Sequence, residues 1–240
     1  REVRDFLERD LGEGGPQRSV VVVATSDQPP LVRLRGAYAA MALAEYFRDQ
    51  GQEVIFMMDS LTRFAMAQRE VGLSVGEPPT SKGFTPSVFA LLPKLLERAG
   101  TTANRGSITG FYTVLVEGDD FNEPIADAVR AILDGHIVLS RDLTSQGHYP
   151  PIDILRSLSR VMSDIIDPKH REWAQKLRSI LATYRQVEDL LNIGAYVPGK
   201  NPKTDYAIRM IDAVNDYLIQ DVNLNVDLPE CLKRLEALLG

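Results

Sequence analysis

The first 165 residues of the chain alternate short apolar runs with amphipathic helical patterns. Uninterrupted runs rich in Val, Ile and aromatic residues are typical of strands buried on both faces. Four such strands are predicted, over residues 19–24, 54–58, 108–116 and 136–139. Helical periodicity separates them, over residues 33–49, 60–71, 86–98 and 124–133. Because parallel strands need a crossover between them, this alternation predicts an α/β fold with a mostly parallel sheet.

The rest of the chain has helical periodicity alone. Three amphipathic helices are predicted, over residues 172–191, 205–220 and 229–239. Each can bury one apolar face against the other two, as the packing of three helices requires. We therefore predict two domains, an α/β domain over residues 1–165 and an all-α domain over residues 166–240.

Composition narrows the class of protein. The 240 residues carry 27 basic and 33 acidic side chains, and the net charge of −6 argues against a general binder of nucleic acid or membrane surfaces. No window is apolar over the length needed to cross a bilayer. A single cysteine, Cys231, excludes an internal disulfide and suits a reducing cytosol, and its apolar helical surroundings predict a buried structural thiol. The chain starts at Arg1 without a methionine, so we expect it to begin inside a longer protein.

One predicted strand ends on a carboxylate. The run EVIFMM is followed by Asp59 and then by a helical pattern. A carboxylate at the carboxyl end of a buried strand can lie beside a bound phosphate and orient hydrated Mg²⁺ during phosphoryl transfer. Arg63 follows one helical turn later, close enough to share the site or to pair with the carboxylate. The sequence therefore predicts ATP chemistry with Mg²⁺ at Asp59, and a simple helix cap is the alternative.

A phosphate-binding loop is not found in the sequence. No strand is followed by G-x-x-x-x-G-K-[ST], the loop whose amides and lysine hold phosphates. GAYVPGK at residues 194–200 approaches the pattern, but the final position is Asn201 and a helical pattern precedes it. We interpret Gly194 as a helix end and the Asn201-Pro202 pair as a turn.

Further residues are candidates for nucleotide contacts. Arg141 and Arg160 each follow a serine, and either could present a guanidinium to a phosphate, with no preference from the sequence alone. Tyr149 precedes two prolines, so its rigid ring could stack on adenine or pack into the core. The histidines have no metal-ligand spacing, and no metal role is predicted for them: His136, His148 and His170.

The loop EGDDFNEP follows a predicted strand and is the densest acidic segment of the chain, with Glu117, Asp119, Asp120 and Glu123. A solvated loop is the default interpretation. The functional alternative is binding to a basic partner, because loops at strand ends often serve in recognition.

Long segments of the chain resemble one family. EVIFMMDSLTRFAMAQREVGLSVGEPPTSKGFTPSVFALLPKLLERAG, GSITGFYTVLVEGDDFNEPIADAVRAILDGHIVLSRDL and GHYPPIDILRSLSRVMSDI resemble the ATPases that drive flagellar and type III protein export. They resemble the catalytic subunits of rotary ATP synthases more distantly. The resemblance covers most of residues 1–198, and the last forty residues match only as a variable helical tail. It implies an incomplete RecA-like sheet followed by an all-α domain.

The resemblance also implies roles for single residues. Asp59 corresponds to the aspartate of the magnesium site and Arg63 to the arginine that follows it. Arg160, within SLSRVM, matches the arginine that these enzymes project into the ATP pocket of a neighbouring subunit. Tyr149 matches the aromatic residue that packs against adenine, and Tyr184, within LATYRQVEDL, lies where a second aromatic residue usually closes that pocket.

The resemblance implies that the whole enzyme is a homohexamer. It also implies that the enzyme is cytoplasmic and lies peripherally at the inner membrane. The expected partners are export stalk and stator proteins, chaperone–substrate complexes and the membrane export gate, without nucleic acid. The acidic loop around Asp119 and Asp120 resembles the segment that contacts a central stalk. The family's phosphate loop and catalytic glutamate lie upstream of Arg1, so this chain alone is expected to bind nucleotide weakly and to hydrolyse almost none.

Two other functions fit part of the pattern. A fragment of a hexameric RNA translocase would share the strand that ends on Asp and the interface arginine, but the acidic balance and GHYPPID argue against it. A non-catalytic module that docks onto the export apparatus is the second alternative. RNA-stimulated hydrolysis by the full-length protein would favour the first. Phosphate release measured both on this chain and on its full-length parent separates the second from an ATPase.

Overall fold

The computed structural model of the protein describes residues 2–103 and 105–240. The chain divides into two compact units, Arg1–Leu133 and Asp134–Gly240. The domain boundary predicted after residue 165 lies further along the chain than this division into compact units. It stays a prediction. The described regular structure from Pro168 onward is helical. The expected α/β part followed by an all-α part is therefore confirmed.

The first unit is built around a three-stranded sheet of order β1-β3-β2. β1 (Glu53–Met58) and β3 (Ser107–Tyr112) are parallel along their whole length, with Phe56 opposite Gly110. β2 (Gly100–Thr101) adds a short antiparallel pair to β3. The α-helices of this unit are α1 (Glu2–Asp5), α2 (Pro30–Asp49), α3 (Leu61–Ser74), α4 (Pro86–Leu96) and α5 (Pro124–Ile132).

One face of β1 carries the hydrophobic core of the first unit. Phe56 is buried, whereas Ile55 and Met57 on the opposite face are exposed, as the alternation along a strand requires. Apolar side chains of the helices complete this core, among them Met41, Leu61, Phe64, Val88, Leu92 and Leu95. Four helices predicted from periodicity are confirmed in this unit, each within a few residues of its predicted bounds, as α2, α3, α4 and α5.

The strand predicted over residues 19–24 is wrong. The segment follows a short 3-10 helix, Pro16–Arg18, and it is not part of either sheet that the structure describes. All four of its valines are exposed, Val20, Val21, Val22 and Val23. The apolar run predicted burial, but a strand also needs the backbone groups of a neighbouring strand to pair with.

The second unit begins with short elements and ends with three long helices. β4 (Gly135–His136) and β5 (Leu158–Ser159) form an antiparallel pair, and one isolated bridge joins Leu139 to Ile152. The strand predicted over residues 136–139 is thus mostly replaced by irregular chain. The helices are α6 (Arg141–Ser145), α7 (Met162–Ile165), α8 (Pro168–Asn192), α9 (Pro202–Leu218) and α10 (Leu228–Leu239).

The three long helices share a second core. Leu177 and Ile180 of α8 pack with Ala207 and Val214 of α9 and with Leu235 of α10. Each helix begins at a side-chain cap, because Asp167, Asn201 and Asp227 accept hydrogen bonds from the first free amides. Cys231, predicted to be buried, is partly exposed on α10.

Candidate functional site

Asp59 lies where the sequence predicts, at the carboxyl end of β1. Its carboxylate is exposed and accepts a hydrogen bond of 2.7 Å from the Thr113 hydroxyl. Thr113 directly follows β3, the parallel neighbour of β1, so the two side chains meet at one edge of the sheet. The backbone supports this meeting, since the Thr113 N–H donates to the Met58 carbonyl at 3.1 Å. An exposed carboxylate at such an edge is free to bind a ligand outside the sheet.

Reciprocal hydrogen bonds hold the turn after Asp59. The Leu61 N–H donates to the Thr113 carbonyl at 2.9 Å. The Thr62 hydroxyl donates to the Leu115 carbonyl at 3.3 Å and accepts from the Leu115 N–H at 2.8 Å. Ser60 and Thr62 are both buried. The first turn of α3 is therefore fixed to the chain that follows β3, and the position of Asp59 is fixed with it.

Arg63 lies in the first turn of α3. Its N–H donates to the Ser60 hydroxyl at 3.4 Å, so Ser60 rather than Asp59 caps the helix. The Arg63 side chain is exposed. Within residues 2–103 and 105–240, its guanidinium makes no ion pair with Asp59. The shared role of these two residues stays a prediction.

The GAYVPGK segment follows the helix α8, not a strand. Gly194 has a φ of +69°, which suits a helix end. The side chain of Asn201 accepts hydrogen bonds from the amides of Lys203 and Thr204 and caps α9, so the predicted turn at Asn201 is in fact a helix start. The segment connects two helices and lacks the strand that a phosphate loop requires.

Both candidate arginines are exposed in the second unit. Arg160 directly follows β5, and its N–H donates to the Asp134 carbonyl at 2.8 Å, which extends the pairing of β4 with β5 by one residue. Arg141 is the first residue of α6. The side chain of Arg160 is therefore carried by a short strand pair with a defined backbone.

The two candidate aromatic residues differ in exposure. Tyr149 is 51% exposed, and its carbonyl accepts a hydrogen bond of 2.8 Å from the Gln220 N–H. Tyr184 lies on α8 and packs against the second core. Partial burial, with Glu188 and Asp212 nearby, raises the pKa of the Tyr184 hydroxyl. The exposed ring of Tyr149 is available for stacking, whereas Tyr184 offers only part of its ring.

His148, next to Tyr149, is buried. Burial lowers the pKa of its imidazole, because an uncharged ring is favoured away from water. Within the described part of the chain, no group of three or more His, Cys, Asp or Glu side chains is placed to hold a metal ion.

Lys82 is a residue that sequence reasoning missed. Its ammonium donates to Asp120 at 3.0 Å and to Glu123 at 3.1 Å, joining the polar loop after α3 to the acidic loop EGDDFNEP. The hydrogen bonds that its ammonium donates to these carboxylates raise the pKa of Lys82, and the lysine lowers the pKa of Asp120. The only signal for this contact in the sequence was the length and polarity of the segment between α3 and α4, residues 75–85.

Comparison with known proteins identifies the family. A family model described as the ATP synthase alpha/beta family, nucleotide-binding domain, matches residues 1–159. The chain belongs to this family. The model of the T3SS EscN ATPase C-terminal domain matches residues 166–237. The resemblance found in the sequence is confirmed.

Curated relatives of this ATP synthase family chain match all or nearly all of its length. It is 58% identical over all its residues to the flagellum-specific ATP synthase of Bacillus subtilis, and covers 55% of that protein. It is 56% identical over 92% of its length to the type 3 secretion system ATPase of Xanthomonas euvesicatoria, and covers 50% of that protein. The chain thus spans about half the length of the curated relatives it matches.

Solved structures agree with this assignment. The assembled ATPase EscN from the type III secretion system of enteropathogenic E. coli matches all of this chain with a TM-score of 0.95 and 46% identity, over 58% of that chain. EscN in complex with its central stalk EscO matches with a TM-score of 0.90 and 44% identity, over 57% of that chain. In the described part of the chain, no helix is both long and apolar enough to span a membrane.

Proposed function

We propose that this chain is part of an ATPase that energises flagellar or type III protein export. In this proposal, ATP is hydrolysed at the interfaces between subunits of a homohexamer. Support comes from the family and from relatives that are named as flagellum-specific or type 3 secretion ATPases. The observation that carries the proposal is the exposed Asp59 carboxylate, held by Thr113 at the carboxyl end of a parallel strand.

Asp59 is assigned to the Mg²⁺ site and Arg63 to a role beside it. Bound Mg²⁺ would neutralise the charge that develops on the transferred phosphoryl group. The donors fit, because Mg²⁺ prefers oxygen ligands, keeps several waters and is usually held by one or two carboxylates and the phosphates. The Thr113 hydroxyl satisfies one oxygen of Asp59 and orients the other for hydrogen bonds to such waters.

Arg160 is assigned to the ATP site of a neighbouring subunit. Its exposure at the end of β5 supports this role, because a guanidinium that acts across an interface must leave its own subunit. Tyr149 is assigned to adenine binding, because its half-exposed ring can stack on the base. Tyr184 is assigned to the same pocket as a second aromatic residue.

The acidic loop is assigned to contact with a basic stalk protein. EscN, a protein whose structure is similar to that of this chain, forms a complex with its central stalk EscO. The Lys82 contact gives the acidic loop a defined position, which supports a role in recognition. Stator proteins, chaperone–substrate complexes and the export gate are the other partners proposed. The enzyme would work in the cytoplasm, peripherally at the inner membrane.

Phosphate release tests the proposal. The full-length protein that contains this chain should hydrolyse ATP, Asp59→Asn should abolish the activity, and Asp216→Asn, an exposed control on α9, should retain it. The 240-residue chain alone should release almost no phosphate, because its sequence has no phosphate loop. Full activity of Asp59→Asn would contradict the assignment. Stimulation by RNA would instead favour a translocase.

A further inference from the structure

The three arginines of α8 lie at intervals of seven residues. They are Arg171, Arg178 and Arg185, which we call the arginine stripe. Seven residues are close to two helical turns, so the three side chains leave α8 along one line. All three contact residues 153–163, which we call the Arg160 segment because it carries Arg160 near its centre.

Arg178 makes the most contacts of the three. One terminal nitrogen of its guanidinium donates to the Ile154 carbonyl at 2.5 Å and to the Ser157 carbonyl at 3.3 Å. The other donates to the Leu155 carbonyl at 3.2 Å. A planar fork with several fixed N–H groups can hold three carbonyls at once, which a lysine ammonium on a flexible stem does less well. Arg178 therefore fixes the turn that leads into β5.

Arg185 and Arg171 hold the two ends of the Arg160 segment. Arg185 donates from both terminal nitrogens to the Asp153 carboxylate at 3.3 Å. Asp153 is only 5% exposed and also accepts from the amides of Leu155 and Arg156 at 3.0 and 3.1 Å. Arg171 donates to the Ser163 carbonyl. The segment is thus bound to α8 before, at and after the turn.

The hydrogen bonds of Ser157 pass this restraint on toward Arg160. The Ser157 hydroxyl donates to the Asp153 carbonyl at 2.7 Å and accepts from the Val138 N–H at 2.9 Å. The next two residues form β5, and the Arg160 N–H then bonds to the Asp134 carbonyl. The backbone that carries Arg160 therefore has restraints from α8 on one side and from β4 on the other.

We propose that the arginine stripe of α8, and Arg178 above all, positions Arg160 for its action on the nucleotide of a neighbouring subunit. This inference rests on the proposed function of Arg160. The three arginines act through the backbone of the Arg160 segment and are positioning residues. A displacement of α8 would move that backbone, so the helical part of the chain controls where the guanidinium of Arg160 is presented.

Hydrogen exchange on the 240-residue chain tests the restraint without any catalysis. Arg178→Ala should speed the exchange of the Arg160 amide, which is bonded to the Asp134 carbonyl, about tenfold, because local opening becomes easier. The control is Arg209→Ala, which removes an exposed arginine that stacks on Tyr206 of α9 and does not belong to the stripe. Equal protection of the Arg160 amide in Arg178→Ala and Arg209→Ala would overturn the inference.

Steady-state kinetics of the full-length protein test the positioning. Arg178→Ala should lower kcat about tenfold with little change in KM for ATP, since small misplacements of a catalytic group have effects of this size. Arg178→Lys, which keeps the charge, should recover part of the loss and serves if the alanine variant fails to fold.

The outcomes separate the two proposals. If Arg160→Ala is inactive while Arg178→Ala turns over like Arg209→Ala, the positioning role is wrong and the proposed function stands. If Arg160→Ala retains full turnover, the proposed role of Arg160 is wrong, and the stripe has no catalytic group to position. A faster exchange together with a lower kcat in Arg178→Ala supports the inference.

Discussion

The Asp59 carboxylate and the Thr113 hydroxyl, 54 residues apart in the chain, are joined by a hydrogen bond of 2.7 Å at the ends of two parallel strands. Thr113→Val keeps the shape of the side chain and removes the donor. In the full-length protein we expect the Mg²⁺ concentration for half-maximal hydrolysis to rise about tenfold, as is typical when the partner of a metal ligand is lost.

Thr113→Ser is the matched control, because it retains the hydroxyl. It should keep the Mg²⁺ dependence of the unsubstituted protein. If Thr113→Val also keeps that dependence, the hydroxyl does not orient the Asp59 carboxylate for the metal.

A second prediction concerns the buried carboxylate of Asp153. Asp153→Ala leaves the amides of Leu155 and Arg156 and the Arg185 guanidinium without their acceptor. The free energy of unfolding of the second unit should fall by about 2 kcal/mol, the usual cost of a buried unsatisfied donor. Urea unfolding followed by the fluorescence of Trp173, the single tryptophan, reports on this unit.

Asp216→Ala, at an exposed position of α9, is the control for that measurement and should change the unfolding free energy little. Equal stabilities of the two variants would show that the Asp153 contacts do not stabilise the Arg160 segment.

A third prediction concerns Tyr112, whose hydroxyl is buried without a hydrogen-bond partner among the described residues. Burial raises the pKa of Tyr112 from 10.0 to about 12. The folded chain therefore keeps this proton at a pH where the unfolded chain loses it. The stability linked to it is fully present below pH 10.0 and is lost as the pH rises toward about 12.

Tyr112→Phe removes both the buried hydroxyl without a partner and its titration. The variant should gain about 1 kcal/mol at pH 7, because no unsatisfied hydroxyl is left in the core. It should also lose less stability than the unsubstituted chain between pH 10 and 11. Urea unfolding followed by circular dichroism at both pH values measures this, and parallel losses in the two proteins would contradict it.

A fourth prediction concerns Lys82. Lys82→Gln removes the cation that holds Asp120 and Glu123, and both carboxylates become available to a basic partner. If the acidic loop binds a basic stalk protein, the Kd of that complex should be about threefold lower for Lys82→Gln than for the unsubstituted protein at low salt. The difference should be smaller at high salt. Lys200→Gln, in the loop before α9, is the control. Weaker binding by Lys82→Gln would mean that the position which the lysine gives the loop contributes more to binding than the two released carboxylates.

Much of the fold was predictable because its patterns are local. Helical periodicity identified all three helices of the all-α part, and the apolar run before Asp59 identified β1 and the carboxylate at its end. The strand predicted from the valine run over residues 19–24 was wrong, because strand formation is not decided by local sequence alone. Hydrophobicity predicts burial, whereas a strand forms only where it finds a pairing partner, and that partner is often distant in the chain.

The candidate site was less predictable, since its supporting contacts join distant residues. Thr113 contacts Asp59 across 54 residues, and Lys82 contacts Asp120 across 38 residues. No periodicity indicates such contacts. The arginine stripe is an exception, because the seven-residue spacing of Arg171, Arg178 and Arg185 was visible in the sequence, although its target was not.

The central claim is that Asp59 and Arg160 complete one ATP site from two different subunits. Full-length Asp59→Asn and Arg160→Ala proteins, each inactive alone, should regain hydrolysis when mixed. In an equal random mixture about a quarter of the interfaces combine an intact Asp59 with an intact Arg160 from the neighbour. Phosphate release near that fraction of the unsubstituted activity is the predicted result. A mixture as inactive as its two components, under conditions where the subunits exchange, would contradict the account.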